Sequence, residues 1–119
     1  MSKTVVLGAS PNPSRYSYLA VQRLKNKGHE VIPVGLRDGE IEGIPIQTGH
    51  PAIEDVHTVT LYVGARNQPA MYDYLLSLKP QRVIFNPGTE NPELQRKLLE
   101  QGVQFTEACT LVMLSTGDY

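Results

Sequence analysis

The sequence predicts a single doubly wound α/β domain, in which a parallel sheet carries helices on both faces. Three observations lead to this prediction. Short apolar segments rich in β-branched residues alternate along the chain with segments of helical periodicity. The first of these strands ends in glycine and small residues just before the first helix. The chain has 119 residues, of which 40% are hydrophobic, which suits one domain with one core.

The chain opens with a strand, a turn and a helix. Apolar residues at 4–7 lead into Gly8, and an apolar stripe at helical spacing then runs from Tyr16 to Leu24 until Gly28 ends the helix. Residues 29–34, His-Glu-Val-Ile-Pro-Val, are predicted to form a second strand. A strand, a helix and a strand this close in sequence predict a right-handed βαβ unit, with the first strand at the centre of the sheet.

The rest of the chain continues the alternation. The remaining predicted elements are, in order, a short edge strand at 44–46 beyond the second strand, one helical turn around 52–53, a strand at 56–63, a helix at 69–79, a strand at 82–85, a helix at 91–101, a strand at 103–106 and a short helix at 108–114. β-Branched residues indicate the strands. Pro69 and Pro92 suit a first helical turn, and Asn91 is a predicted N-cap.

Composition excludes several classes of function. The chain has 11 Lys and Arg against 12 Asp and Glu and no basic run, so it lacks the positive footprint of a nucleic-acid-binding protein. It also lacks the run of about 18 apolar residues that a membrane span needs, and its first residues are too few to form a signal peptide. We therefore expect a cytoplasmic protein. A single cysteine, Cys109, excludes an internal disulfide and a cysteine-cluster metal site.

The topology predicts where a ligand binds. In a doubly wound sheet, ligands bind at the carboxyl ends of the strands, where the strand order reverses. The loops expected there are residues 8–17, 34–39, 64–67, 86–91 and 107–110. At the first of them, Gly8 permits a tight turn, and the small residues Ala9 and Ser10 leave the backbone accessible. Free N–H groups at this turn and at the start of the helix would hold a phosphate without any charged side chain.

The loops also restrict which nucleotide is bound. The G-x-G-x-x-G fingerprint of dinucleotide sites is absent after Gly8, and no G-x-x-x-x-G-K-[ST] motif for ATP occurs. The second strand ends in Val-Gly-Leu-Arg at 34–37, without the acidic residue that binds a ribose 2′-hydroxyl. Arg37 suits a ribose that carries a phosphate. Two ligands therefore remain open, NADP and coenzyme A (CoA) with its 3′-phosphate.

Several segments in order resemble a known family. They are Val-Leu-Gly-Ala-Ser at 6–10, Pro-Ser-Arg-Tyr-Ser at 13–17, Gly-His-Glu-Val-Ile-Pro-Val at 28–34, Gly-Ile-Pro-Ile at 43–46, Asn-Pro-Gly-Thr-Glu-Asn at 86–91 and the late Cys109. With them the chain resembles the CoA-binding domain family. These are small Rossmann-like bacterial proteins, similar to the CoA-binding N-terminal domain of the succinyl-CoA synthetase alpha subunit. The resemblance spans nearly the whole chain.

The resemblance implies a set of ligand contacts. The residues implied are Gly8, Ala9, Ser10, Arg15, Tyr16 and Ser17 beside the pyrophosphate, Pro33, Val34 and Arg37 beside the adenosine and its 3′-phosphate, Gly64 and Arg66 in a loop over the nucleotide, and Asn86 and Gly88 along the pantetheine arm. The chain departs from its relatives in one place. It has Val-Gly-Leu at 34–36 where they usually have Val-Asn-Pro, which weakens the implied contacts of the adenosine pocket.

The resemblance and the site together favour a binding protein over an enzyme. The interpretation is non-covalent binding of CoA or acyl-CoA by a carrier, sensor or regulatory module, because the sequence shows no nucleophile paired with a base and no metal cluster. His29 and His57 open strands, away from the expected site, and His50 lies in an unassigned loop. We expect none of the three histidines to act in chemistry.

Two alternatives remain. The first is a small NADP-dependent oxidoreductase, for which Tyr62 is the tyrosine nearest the site. The second is a subunit that acts only with an acyl-CoA synthetase-like partner or as a homodimer, in which the apolar residues 111–114 would pack on a second copy rather than on their own domain. Cys109 is interpreted as a small buried hydrophobe, or else as a thiol that forms a mixed disulfide with CoA.

Overall fold

A computed structural model describes residues 3–119 of the chain. Its elements are, in order, β1 (Lys3–Ala9), α1 (Tyr16–Asn26), β2 (Glu30–Gly35), β3 (Glu40–Ile41), β4 (Ile44–Pro45), β5 (Thr58–Leu61), α2 (Tyr72–Ser77), β6 (Arg82–Phe85), α3 (Pro92–Glu100), β7 (Gln104–Glu107) and α4 (Thr110–Thr116). Two short 3₁₀ turns, Ala65–Asn67 and Pro69–Met71, lie between β5 and α2.

The main sheet is parallel and has the strand order β2-β1-β5-β6-β7. This order confirms the predicted doubly wound fold, and it reverses between β1 and β5, where such sheets bind their ligands. The prediction that β1 lies at the centre is wrong. Only β2 lies on one side of β1, whereas β5, β6 and β7 lie on the other side. The central strand is therefore β5.

The sheet buries both of its faces. Consecutive residues of β1 point to opposite sides, so Val5 and Leu7 pack with α2 and α3, while Val6 packs with α1 and α4. Burying one such aliphatic side chain stabilises the fold by about 1.5–3 kcal/mol. Leu114 of α4 belongs to the second of these clusters and is 4% exposed. The apolar end of the chain therefore packs on its own domain through Leu114, although Val112 remains exposed.

The bounds of several strands and helices differ from those predicted. The strand predicted at 56–63 is limited to Thr58–Leu61. The helix predicted from 69 begins with a 3₁₀ turn, because the Met71 N–H donates to Gln68 O at 2.7 Å, and α2 starts only at Tyr72. Residues 52–53 form no helical turn. Residues 44–45 pair with β3 in a separate hairpin, and a bridge from Gln47 to Val34 joins that edge to the main sheet.

Two predicted helix ends are confirmed, the start of α3 at Asn91 and the end of α1 before Gly28. The Asn91 side chain caps α3 by accepting from the N–H groups of Glu93 and Leu94, at 3.1 and 3.3 Å. Gly28 has a φ of 85° in the turn that follows α1. Within residues 3–119, no helix is long and apolar enough to cross a membrane.

Candidate functional site: a cleft at the carboxyl edge of the sheet

A bulge at Gly8 opens the site. In the pairing of β1 with β2, Leu7 lies opposite Val34 and Ala9 lies opposite Gly35, so Gly8 is an extra residue, and its φ is 97°. A Cβ on Gly8 would lie 2.9 Å from the carbonyl carbon of Tyr62, and one on Gly35 would lie 2.2 Å from Ala9 O. Glycine at both positions therefore lets three strand ends approach one another closely.

The loop after β1 is ordered by its own hydrogen bonds. The Asn12 N–H donates to Ser10 Oγ at 3.1 Å, and Asn12 Oδ1 accepts from the Ser14 N–H at 3.0 Å. Arg15 is the N-cap of α1, and its side chain makes no capping bond. Within residues 3–119, nothing accepts from the N–H groups of Tyr16 and Ser17. Those two donors and the positive end of α1 are thus available to an anion.

A cleft of about 880 Å³ lies along this edge of the sheet, between the loops that follow β1, β2, β5 and β6. Most of the predicted site residues line it, namely Gly8, Ala9, Ser10, Arg15, Tyr16, Ser17, Val34, Arg37, Gly64 and Gly88. Three predicted residues do not. Pro33 is buried inside β2, Arg66 is exposed outside the lining, and Asn86 is buried beneath it.

The lining of the cleft is positively charged. Arg15 and Arg37 contribute guanidinium groups, and no lining residue is Asp or Glu. His50, for which the sequence predicts no regular element, also lines the cleft, and its ring stacks on Tyr74 with centroids 4.8 Å apart. A cleft of this charge, with free backbone donors at its first loop, fits a ligand that carries several phosphates.

Comparison with known proteins agrees with this geometry. A family model described as "CoA binding domain" matches residues 2–115. The chain belongs to the CoA-binding domain family. This membership supports CoA binding in general. A comparison with curated proteins gave no match.

Solved structures share the fold of this CoA-binding domain. A crystal structure of an uncharacterized protein is 56% identical, has a TM-score of 0.97 and covers 100% of this chain and 98% of its own. A conserved hypothetical protein from Pyrococcus furiosus is 28% identical, with a TM-score of 0.80 and coverage of 94% and 98%. Acetyl-coenzyme A synthetase 1 from Ca. Korarchaeum cryptofilum is 20% identical, has a TM-score of 0.70, and is matched over 90% of this chain and 25% of its own length.

Asn86 of the CoA-binding domain holds the edge of the sheet together. Its Nδ2 donates to Thr60 Oγ1 at 2.7 Å and to Leu61 O at 2.9 Å, and its Oδ1 accepts from the Thr110 N–H at 2.9 Å. The side chain thereby joins β5, β6 and the first turn of α4. All its polar atoms bond to protein groups, so this position supports the cleft from below rather than contacting what fills it.

Gln68 is a site residue that the sequence did not reveal. It is 1% exposed, and its Nε2 donates to Val63 O at 2.8 Å and to Thr89 O at 2.7 Å. Its Oε1 accepts from Asn91 Nδ2 at 2.8 Å. One amide therefore fixes the loop after β5 to the loop after β6, and these two loops form one end of the cleft.

The remaining titratable groups offer little chemistry. Burial raises the pKa of Tyr62 to about 12, and its hydroxyl is buried without a hydrogen-bond partner among residues 3–119. A phenol that holds its proton so tightly is a poor general acid near neutral pH, so it does not support the oxidoreductase alternative. Cys109 is partly buried just before α4, and it is not among the residues that line the cleft.

The other two histidines lie far from the cleft. His29 precedes β2 and His57 precedes β5, at the amino edge of the sheet, as predicted. Burial lowers the pKa of His29, which keeps its ring neutral near pH 7. Within residues 3–119, no group of three or more His, Cys, Asp or Glu side chains is placed to hold a metal ion.

Proposed function

We propose that this protein binds CoA non-covalently in the cleft at the carboxyl edge of its sheet. The observation that carries the proposal is the combination of free N–H groups at Tyr16 and Ser17 with Arg15 and Arg37 in a cleft without a carboxylate. CoA carries a pyrophosphate and a 3′-phosphate. Charge-assisted hydrogen bonds to such groups are roughly twice as strong as neutral ones.

In this proposal the pyrophosphate lies against loop 8–17 and the first turn of α1. The adenosine lies at the end of β2, where Val34 forms the floor and Arg37 reaches the 3′-phosphate. Two apolar side chains at the rim, Tyr16 and Leu36, are 72% and 97% exposed, and an adenine ring would cover part of their surface. The pantetheine arm then extends across the ends of β5 and β6, past Gly64 and Gly88.

The lining favours binding over catalysis. Its hydroxyl groups belong to Ser10, Tyr16, Ser17, Tyr62 and Thr89, and none of them hydrogen-bonds to His50 within the part of the chain that the structure describes. A nucleophile activated by a base needs such a bond. We therefore propose a carrier, sensor or regulatory module, and not a transferase.

Calorimetric titration with CoA, dephospho-CoA and NADPH tests the proposed function. CoA should bind more tightly than dephospho-CoA, because only CoA carries the 3′-phosphate, and NADPH should give no heat of binding. Binding of NADPH without binding of CoA would overturn the proposal and favour the oxidoreductase.

The substitution Arg37→Ala should weaken CoA much more than dephospho-CoA. Loss of one charge-assisted phosphate contact is worth roughly 1.5–3 kcal/mol, or about 10-fold to 150-fold in affinity. Arg96→Ala, at an exposed position on α3 outside the cleft, is the matched control and should change neither affinity. Equal losses for the two ligands in Arg37→Ala would show that Arg37 does not contact the 3′-phosphate.

A further inference from the structure

The cleft is asymmetric along its length. Both arginines belong to the loops after β1 and β2, whereas the loops after β5 and β6 contribute no charged side chain to the lining. The residues from those two loops are Tyr62, Val63, Gly64, Asn67, Ala70, Met71, Pro87, Gly88 and Thr89. A ligand that fills the whole cleft therefore has a polyanionic end and an uncharged end.

The uncharged end has an apolar floor. Val63 and Met71 are partly buried and pack against the core cluster beneath α2 and α3, so the surface that they show to the cleft continues the hydrophobic core. Ala70 and Pro87 add exposed apolar surface at its sides. The His50 ring lies flat against Tyr74 beside α2 and forms another wall. Covering this surface with an apolar group removes it from water, which favours binding.

A hydrogen bond of Gln68 holds the backbone of this floor in place, whereas the Met71 side chain can change its conformation. The buried Gln68 amide ties the 3₁₀ turns to Thr89, so the base of the floor is held in place. Met71 stands just after that anchor and immediately before α2. Its unbranched side chain has several rotatable bonds and fits apolar groups of different lengths.

Resting on the proposed function, we propose that the ligand is an acyl-CoA with an uncharged, apolar acyl chain, and that Val63, Ala70, Met71 and Pro87 receive that chain. Free CoA ends in a thiol, so the part of this surface that lies beyond the pantetheine arm stays exposed to water. An acyl group that ends in a carboxylate would bring a negative charge to apolar side chains, with no lysine or arginine in this part of the lining.

Calorimetric titration with CoA, hexanoyl-CoA and succinyl-CoA tests the inference. Hexanoyl-CoA should bind at least about tenfold more tightly than CoA, since burying two methylene groups is enough for that difference. Succinyl-CoA should bind no more tightly than CoA.

Met71→Asp should weaken hexanoyl-CoA about tenfold more than it weakens CoA. Ala70→Asp, at an exposed position that leaves the core intact, should act in the same direction. Val112→Asp, on the exposed side of α4, is the control and should change no affinity.

The outcomes separate the two proposals. If CoA and hexanoyl-CoA bind equally well, or if succinyl-CoA binds most tightly, the acyl-chain inference is overturned while the proposed function stands. If Met71→Asp and Ala70→Asp weaken both ligands by the same factor, the chain does not lie at this end of the cleft. If none of the three ligands binds, the proposed function itself fails.

Discussion

Replacing Arg15 with glutamate is expected to abolish CoA binding without unfolding the protein. Arg15 lines the cleft at the N-cap of α1, next to the free N–H groups of Tyr16 and Ser17. The substitution removes a charge-assisted contact and places a negative charge against the pyrophosphate. The affinity should fall at least about a hundredfold, because the lost contact alone is worth roughly 1.5–3 kcal/mol and repulsion adds to it. Titration calorimetry measures the loss, and circular dichroism checks the fold.

The control for this experiment is on the same helix. Arg23→Glu makes the same charge change at an exposed position in the last turn of α1, outside the cleft lining. It should leave CoA affinity nearly unchanged, since charges separated by more than about 10 Å of water are screened at ordinary salt. Similar losses in both variants would mean that net charge, rather than a contact at Arg15, governs binding. Undiminished binding in Arg15→Glu would place the pyrophosphate elsewhere.

Replacing Asn86 with leucine is expected to destabilise the whole domain. The Asn86 side chain is 2% exposed and makes three hydrogen bonds, to Thr60, Leu61 and the Thr110 N–H. Cys109, the N-cap of α4, offers no side-chain bond, so Asn86 supplies the acceptor that α4 needs. Leucine would leave the Thr110 N–H and Leu61 O buried without these partners, at about 1–3 kcal/mol each. The free energy of unfolding should therefore fall by about 3 kcal/mol or more, out of a typical 5–15 kcal/mol.

Urea denaturation measures this effect. Asn26→Leu, at the exposed end of α1, is the matched control and should change stability by less than about 0.5 kcal/mol. A stability of Asn86→Leu within that same margin would show that the three hydrogen bonds contribute little, and Asn86 would then be free to serve the ligand directly, as the family resemblance implies.

Local sequence signals predicted the fold class and the first loop. The spacing of apolar residues predicts the alternation of strands and helices. Asn91 and Gly28 indicate helix ends because capping interactions act within about four residues. Gly8 could be recognised for the same reason, because the turn that it permits involves its immediate neighbours. The structure shows in addition that Gly8 is a bulge in the pairing of β1 with β2, next to the pair of Ala9 and Gly35. That pairing joins residues that are far apart in sequence.

Contacts that span the chain could not be predicted in this way. Gln68 reaches Thr89 and Asn91 across more than 20 residues, and a buried glutamine in a short turn looks like a surface residue in the sequence. His50 reaches the cleft only because its loop crosses to α2 and stacks on Tyr74. The position of β1 within the sheet depends on which side the later strands join, and apolar periodicity carries no information about that choice.

The most direct test of the account is to map the CoA-binding surface by NMR, using the backbone amide signals of the ¹⁵N-labelled protein. CoA is expected to shift amide signals in the four loops around the cleft, at residues 8–17, 34–37, 62–71 and 87–89. The largest shifts should come from Tyr16 and Ser17, whose N–H groups are free in the structure. Shifts confined to the amino edge of the sheet, around His29 and His57, would contradict the account.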